Sequence, residues 1–231
     1  MASNRDRTVP DVGLVGGRIE ERVRHAKVPP LDLPHVLAPF RRDSDREPFV
    51  DFVSQRPLHL EIGFGRPHHL CDLAAQLPDA RVLGFEIRRR WVRAADKRAT
   101  REGLDNIRVV EGDARPYVEQ LMAPASLDAV YILFPDPWWK KKHHKRRVFQ
   151  PAFIETLGDR LVPGGMLVVK TDVEAYADLI YDQFMDLDGW ELAGSSYADP
   201  VIAQLPRSHR EKKCNELGIP THSFRFVTEA P

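Results

Sequence analysis

The sequence predicts an α/β domain: a mostly parallel, seven-stranded sheet with helices on both faces and an antiparallel edge strand. Three observations predict it. Short runs rich in Val, Ile and Leu recur from residue 58 onward: LHLEI, ARVLGFEI, NIRVVEG, LDAVYILF and GGMLVVKT. They read as strands buried on both sides. Stretches with helical spacing alternate with them, several closed by Gly or Pro. An acidic residue stands at the end of every run, Glu61, Glu86, Asp113, Asp136 and Asp172, and in such sheets ligands bind at the carboxyl ends of the strands.

Composition agrees with one soluble domain. The chain has 231 residues, 42% hydrophobic and 29% charged, with 34 basic against 34 acidic side chains. Residues 1–47 hold several prolines and many charges without a sustained period, and read as a flexible N-terminal arm. Residues 48–231 read as a single domain. No apolar run is long enough to span a membrane and no secretion signal opens the chain, so the expected location is the cytoplasm. The two cysteines, Cys71 and Cys214, lack the spacing of a zinc site or a disulfide scaffold and read as reduced thiols. A net charge of zero can still hide a basic face.

Along the chain, LHLEI opens the sheet and runs into the turn E61-I-G-F-G-R-P-H-H. Gly63 and Gly65 let backbone approach a ligand there, or serve only a strand-to-helix turn. HHLCDLAAQL follows as a helix. The next strand, ARVLGFEI, ends in Glu86, about twenty residues beyond the glycines, where a carboxylate can accept both hydroxyls of a ribose. The helix RRRWVRAADKRATREG then places Arg90, Arg93 and Lys97 or Arg101 near one side, which reads first as an ordinary solvated face and otherwise as a second basic surface, while Trp91 and Ala95 can face the sheet. NIRVVEG ends in Asp113, either an acceptor for an exocyclic amine or the N-cap of the helix RPYVEQLM. Together Gly63, Gly65, Glu86 and Asp113 describe an adenosine pocket with no Walker pattern.

LDAVYILF leads to FPDPWWKKKHHKRR, residues 134–147, with six Lys or Arg, two His and two Trp around Asp136. A charge run reads by default as a solvated loop. Beside a strand-end carboxylate it reads better as an RNA grip, cations neutralising phosphates and an indole stacking on a base. His143 and His144 sit among like charges without Cys or acid at ligand spacing, so no metal is expected. RRVFQPAFIETLGDRL, GGMLVVKT with Asp172, and VEAYADLIYDQFMDL continue the alternation. WELAGSSYA and THSFRFVTEA bracket a polar loop and read as the antiparallel edge. That loop holds a further cationic cluster: Arg207, Arg210, Lys212 and Lys213.

The ordered motifs E-I-G-F-G, G-F-E-I-R, E-G-D-A, F-P-D-P-W-x-K-K-x-H-H-K-R-R and P-G-G-x-L-x-x-K-T-D resemble those of the bacterial tRNA (guanine-N7)-methyltransferases, over residues 58–228. The resemblance implies a Rossmann-like class I methyltransferase that uses S-adenosylmethionine and methylates N7 of a variable-loop guanosine in tRNA. It implies Glu61, Glu86, Asp113 and Asp136 around the cofactor, with Asp136 also the catalytic carboxylate. It implies Lys140 and Asp172 on the tRNA substrate, with Ser208 and Glu211 of S-H-R-E in place of the family's Thr-x-x-Glu. Two departures stand out: Pro67 replaces a third glycine, and Trp139 replaces a proline. Pro67 and the altered S-H-R-E segment keep open a noncatalytic RNA-binding paralogue on the same fold. A nicotinamide oxidoreductase, which also uses glycines and a strand-end acid, has no use for the basic run.

Overall fold

The computed structural model describes residues 31–38 and 46–228. Its strands are β1 (Val36–Leu37), β2 (Leu58–Ile62), β3 (Arg81–Glu86), β4 (Ile107–Glu111), β5 (Leu127–Leu133), β6 (Leu161–Thr171), β7 (Trp190–Ser195) and β8 (His222–Thr228). Its helices are α1 (Arg46–Val53), α2 (His68–Gln76), α3 (Arg89–Glu102), α4 (Ala114–Leu121), α5 (Pro151–Arg160), α6 (Glu174–Met185), α7 (Pro200–Gln204) and α8 (His209–Leu217), with a 3-10 segment over Lys141–Arg146.

The strands form one sheet in the order β1-β4-β3-β2-β5-β6-β8-β7. Neighbours from β1 to β6 pair in parallel, and β8 runs antiparallel to both β6 and β7. The expected seven strands are β2 to β8. An eighth, the two-residue β1, comes from the stretch read as arm and is too short to show any period. It pairs with β4, Val36 opposite Val109.

Strand alternation divides the core into two layers. In β5, Val130 and Ile132 face one layer, where α1, α4, α5 and α6 supply Phe49, Tyr117, Phe153 and Phe184. Ala129, Tyr131 and Leu133 face the other, where α2 and α3 supply Leu70, Val92 and Ala95. Each fully buried aliphatic or aromatic side chain stabilises the fold by about 1.5–3 kcal/mol relative to exposure.

Two readings needed correction. The helix expected over RRVFQPAFIETLGDRL begins only at Pro151, because proline suits the first helical position and biases the residue before it away from helix. The stretch between β7 and β8, read as a polar loop, folds into α7 and α8. The rest of the arm, 1–30 and 39–45, lies outside the described residues.

Candidate active site

A cleft of about 450 Å³ opens at the carboxyl ends of β2 to β5. It is lined from the β2 end by Ile62 and Gly63, from β3 by Glu86, Ile87 and Arg88, from β4 by Asp113 and Arg115, and beyond β5 by Asp136, Trp138 and Arg146. Three of the five strand-end acids, Glu86, Asp113 and Asp136, therefore converge on one space.

Gly63 follows β2 with φ +74°, a left-handed conformation that glycine adopts without strain, and a Cβ placed there would meet nothing within 4 Å. The position is open, and a side chain there would carry the strain of the positive φ. Gly65 N–H donates to Glu86 Oε2 at 2.8 Å, which ties the glycine turn to β3. Glu86 Oε1 also accepts from the Arg88 backbone N–H at 2.8 Å and from Arg88 Nε at 3.1 Å. The Glu86 side chain is buried whereas that of Arg88 is 57% exposed, so Arg88 can swing away and release an acceptor.

Asp113 caps α4, accepting from Arg115 N–H at 3.1 Å, and its carboxylate also receives Arg115 Nη2 at 2.6 Å. The cap and the cleft acid are thus the same residue. Hydrogen bonding to Asp113 raises the Arg115 pKa.

Asp136 is exposed between Pro135 and Pro137. Its turn is held by two non-glycine residues at positive φ, Phe134 at 55° and Trp138 at 44°, a conformation costing about 1–2 kcal/mol per L-residue. Anchors sustain it: Phe134 N–H donates to the Lys170 carbonyl at 2.7 Å, and Arg147 Nε donates to the Pro137 carbonyl at 2.8 Å. Strain maintained by its surroundings is common where a side chain must be aimed.

Trp138 lies in the cleft wall, with the Arg146 guanidinium 5.1 Å from its ring. Trp139 is 50% exposed and meets Tyr176 edge-on at 6.0 Å. Lys141–Arg146 of the charge run form a 3-10 turn whose Lys and Arg side chains are exposed, preceded by the exposed Lys140, whereas Arg147 at its end is buried.

The other expected site residues lie elsewhere. Glu61 is buried in a pair with His69 Nδ1 at 2.9 Å and does not line the cleft, since strand alternation turns it toward α2. Asp172 is bound by Arg210, with Nε at 3.0 Å. Ser208 and Glu211 form the capping box of α8, Glu211 N–H donating to Ser208 Oγ at 3.1 Å. Glu211, fully buried, pairs with Lys170 Nζ at 2.9 Å and accepts from the Tyr197 hydroxyl. Burial lowers the Lys170 pKa against the opposing pull of Glu211. This cluster sits one strand beyond the cleft, because Lys170 pairs with Leu133 at the tip of β5. Lys170 and Tyr197 were not singled out in the sequence. A lysine inside the apolar run MLVVK is the signal for the first.

The donor set fits an adenosyl cofactor: a carboxylate at a strand end, a second one two residues past the neighbouring strand, an open glycine in the lining, and the apolar Ile87 and Ile132 between. A family described as "Putative methyltransferase" matches residues 55–224. The tRNA (guanine-N(7)-)-methyltransferase of Myxococcus xanthus is 36% identical over 181 residues, covering 78% of this chain and 88% of that one. The enzyme of the same name from Mycobacterium avium is 34% identical over 222 residues, covering 96% and 79%. Among solved structures, the 16S rRNA methyltransferase KamB superposes with a TM-score of 0.59 at 16% identity, covering 81% of this chain and 94% of that one. A SAM-dependent methyltransferase from Aquifex aeolicus gives 0.51 at 12%, covering 78% and 87%. The solved structures establish the fold alone. Joined to the convergence of Glu86, Asp113 and Asp136, the sequence relatives show that this chain belongs to the tRNA (guanine-N7)-methyltransferase family.

Proposed function

We propose that this protein transfers a methyl group from S-adenosylmethionine to N7 of a guanosine in the variable loop of tRNA, acting in the cytoplasm. The observation that carries the reading is the meeting of three strand-end carboxylates with Trp138 and Arg146 of the cationic turn in one cleft. The relatives are named as enzymes, which favours the transferase over the RNA-binding module.

When bound, S-adenosylmethionine supplies a methyl group made electrophilic by its sulfonium. Glu86 is suited to accept the ribose hydroxyls once Arg88 moves aside, and Asp113 to accept the adenine amine. Gly63 leaves its part of the lining open. Gly65 holds the glycine turn against Glu86 of β3, and Glu61 ties β2 to His69 of α2 on the far side of that turn. Guanine N7 presents a free lone pair, so no proton has to be removed before attack, and Asp136 has no need to act as a strong base. Its carboxylate, aimed by the strained turn, offsets positive charge that grows on the purine, the kind of preorganised electrostatic stabilisation that dominates such steps. Trp138 holds the base in place, which contributes through orientation. Lys140 and the turn neutralise tRNA phosphates. Asp172, Ser208 and Glu211 serve the substrate side by fixing α8 against the tip of β6.

Mass spectrometry of nucleosides from unmodified tRNA incubated with the protein and S-adenosylmethionine tests the proposal. The expected product is 7-methylguanosine; a folded protein that binds the cofactor yet yields none would overturn it.

A further inference from the structure

The basic face of α3 and the cationic cluster of α8 are far apart in sequence, and the glycine turn joins them in space. Arg66 and Arg90 share one indole: their guanidinium carbons lie 5.4 Å and 4.7 Å from the Trp91 ring. The Arg66 guanidinium also donates to His209 Nε2. The His209 ring stands 5.3 Å from that of His68, and Lys212 Nζ lies 3.9 Å from Asp72. The result is a continuous ridge, Arg90–Trp91–Arg66–His209–His68, with Lys212 at its end.

Its charge is poorly compensated. Asp72 is already hydrogen bonded to Arg98, which also pairs with Glu102. Among the described residues neither Arg66 nor Arg90 makes an ion pair, and both are exposed. Guanidinium groups held within cation–π distance of an indole are preorganised cations, with less side-chain freedom to lose when an anion arrives.

The position of the ridge gives its meaning. Gly63 and Arg88 line the cleft, and Arg66 lies three residues beyond the first while Arg90 lies two beyond the second, in the first turn of α3. The ridge stands on the α2 and α3 face of the sheet. The turn Lys141–Arg146 belongs to the opposite face, where Arg115 of α4 donates to the Lys145 carbonyl at 3.2 Å and Trp139 meets Tyr176 of α6. The cleft therefore opens between two cationic surfaces, one from each layer of helices.

We propose that the ridge Arg90–Trp91–Arg66–His209, ending at Lys212, is a second binding surface for the phosphodiester backbone of the tRNA, separate from the 134–147 turn and rooted on the other face of the sheet. The inference rests on the tRNA reading of the cleft. A folded RNA straddling the cleft touches both surfaces at once. Each phosphate neutralised on the ridge releases counterions, which adds affinity without base specificity.

Fluorescence anisotropy of an unmodified tRNA transcript at a series of KCl concentrations tests this, comparing the parent with the double variant Arg66→Ala, Arg90→Ala. Thermal unfolding and S-adenosylmethionine calorimetry are run on both. The expected result is a roughly tenfold weaker tRNA Kd and a salt slope smaller by about 1 for each cation removed, with cofactor affinity retained. Unchanged tRNA affinity and slope would overturn the proposal. So would a loss of cofactor affinity with tRNA binding intact, which would assign the ridge to the methyl donor. Should the double variant not fold, Lys212→Ala at the exposed end of the ridge is read instead, and a parent-like slope counts against the proposal. A parent protein that binds no tRNA sinks the function itself; a binding parent with indifferent ridge variants sinks only the ridge.

Discussion

At the scale of single residues, the chemistry depends on where a side chain is aimed rather than on its type. Asp136 stands in a turn with positive φ on either side of the Pro-Asp-Pro unit, at Phe134 and Trp138, and backbone bonds from Phe134 and Arg147 hold that turn in place. Replacing Asp136 with Asn keeps the shape and removes the charge. Methyl transfer under single-turnover conditions is expected to slow by about 100-fold or more, the size seen when one preorganised electrostatic group is lost, while tRNA affinity is retained. A variant with parental single-turnover rates would remove Asp136 from the reaction. The cysteines illustrate the converse, residues that burial makes inert. Burial pushes the Cys71 thiol up to about 12, and burial followed by the Asp172 charge raises Cys214. Thiolate is the reactive form. Neither thiol should take up iodoacetamide at pH 8 in the native protein, and both should react in denaturant; intact-mass measurement of the native sample would expose any exception.

At the scale of elements, α8 shows what the sequence carried and what it concealed. Its signature was present, since Ser208 and Glu211 have the Ser-x-x-Glu spacing of a capping box, and the box forms. The segment nevertheless looked like a loop, because only Glu211 and Cys214 are buried along its length and no apolar period exists to detect. What seats the helix is a buried ion pair with Lys170 of β6, a contact that sequence spacing cannot reveal. Cutting one half of a buried pair leaves an uncompensated charge and costs about 3–5 kcal/mol. Lys170→Met is therefore expected to lower stability by that order, and adding Glu211→Gln to recover a good part of it. Chemical denaturation of the single and double variants reads the difference, and a double variant no more stable than Lys170→Met would show that the pair does not act as a unit. The strands were legible because β2 to β6 are compact runs rich in Val, Ile and Leu, spaced by helical stretches. The orientation of Glu61 was hidden for the same kind of reason as α8: a strand end locates a residue along the sheet and leaves open which face it turns to, and Glu61 turns to His69.

At the scale of the whole molecule, the domain boundary read from composition at residue 48 divides contacts that the fold uses. Leu31 and Leu37 are buried, β1 extends the sheet beyond β4, and His35 N–H donates to Asp96 of α3 at 3.1 Å. Polar residues, prolines and a two-residue strand hide this segment from any periodicity, so its attachment is legible only in three dimensions. A chain shortened to begin at residue 39 loses two buried leucines, each contributing about 1.5–3 kcal/mol of burial before the ordering entropy is subtracted. It also leaves Asp96 without its hydrogen-bond partner. A net loss of about 2–3 kcal/mol corresponds to a drop in Tm of roughly 5–10 °C for a chain of this size. A chain beginning at residue 31 keeps all of those contacts, so the difference between the two truncations isolates them from anything the preceding residues do. Because β4 also carries Asp113 to the cleft, the shorter chain is expected to bind S-adenosylmethionine more weakly as well, and calorimetry on the pair reads this. Equal thermal midpoints in the two truncations would show that the segment rests on the sheet without supporting it.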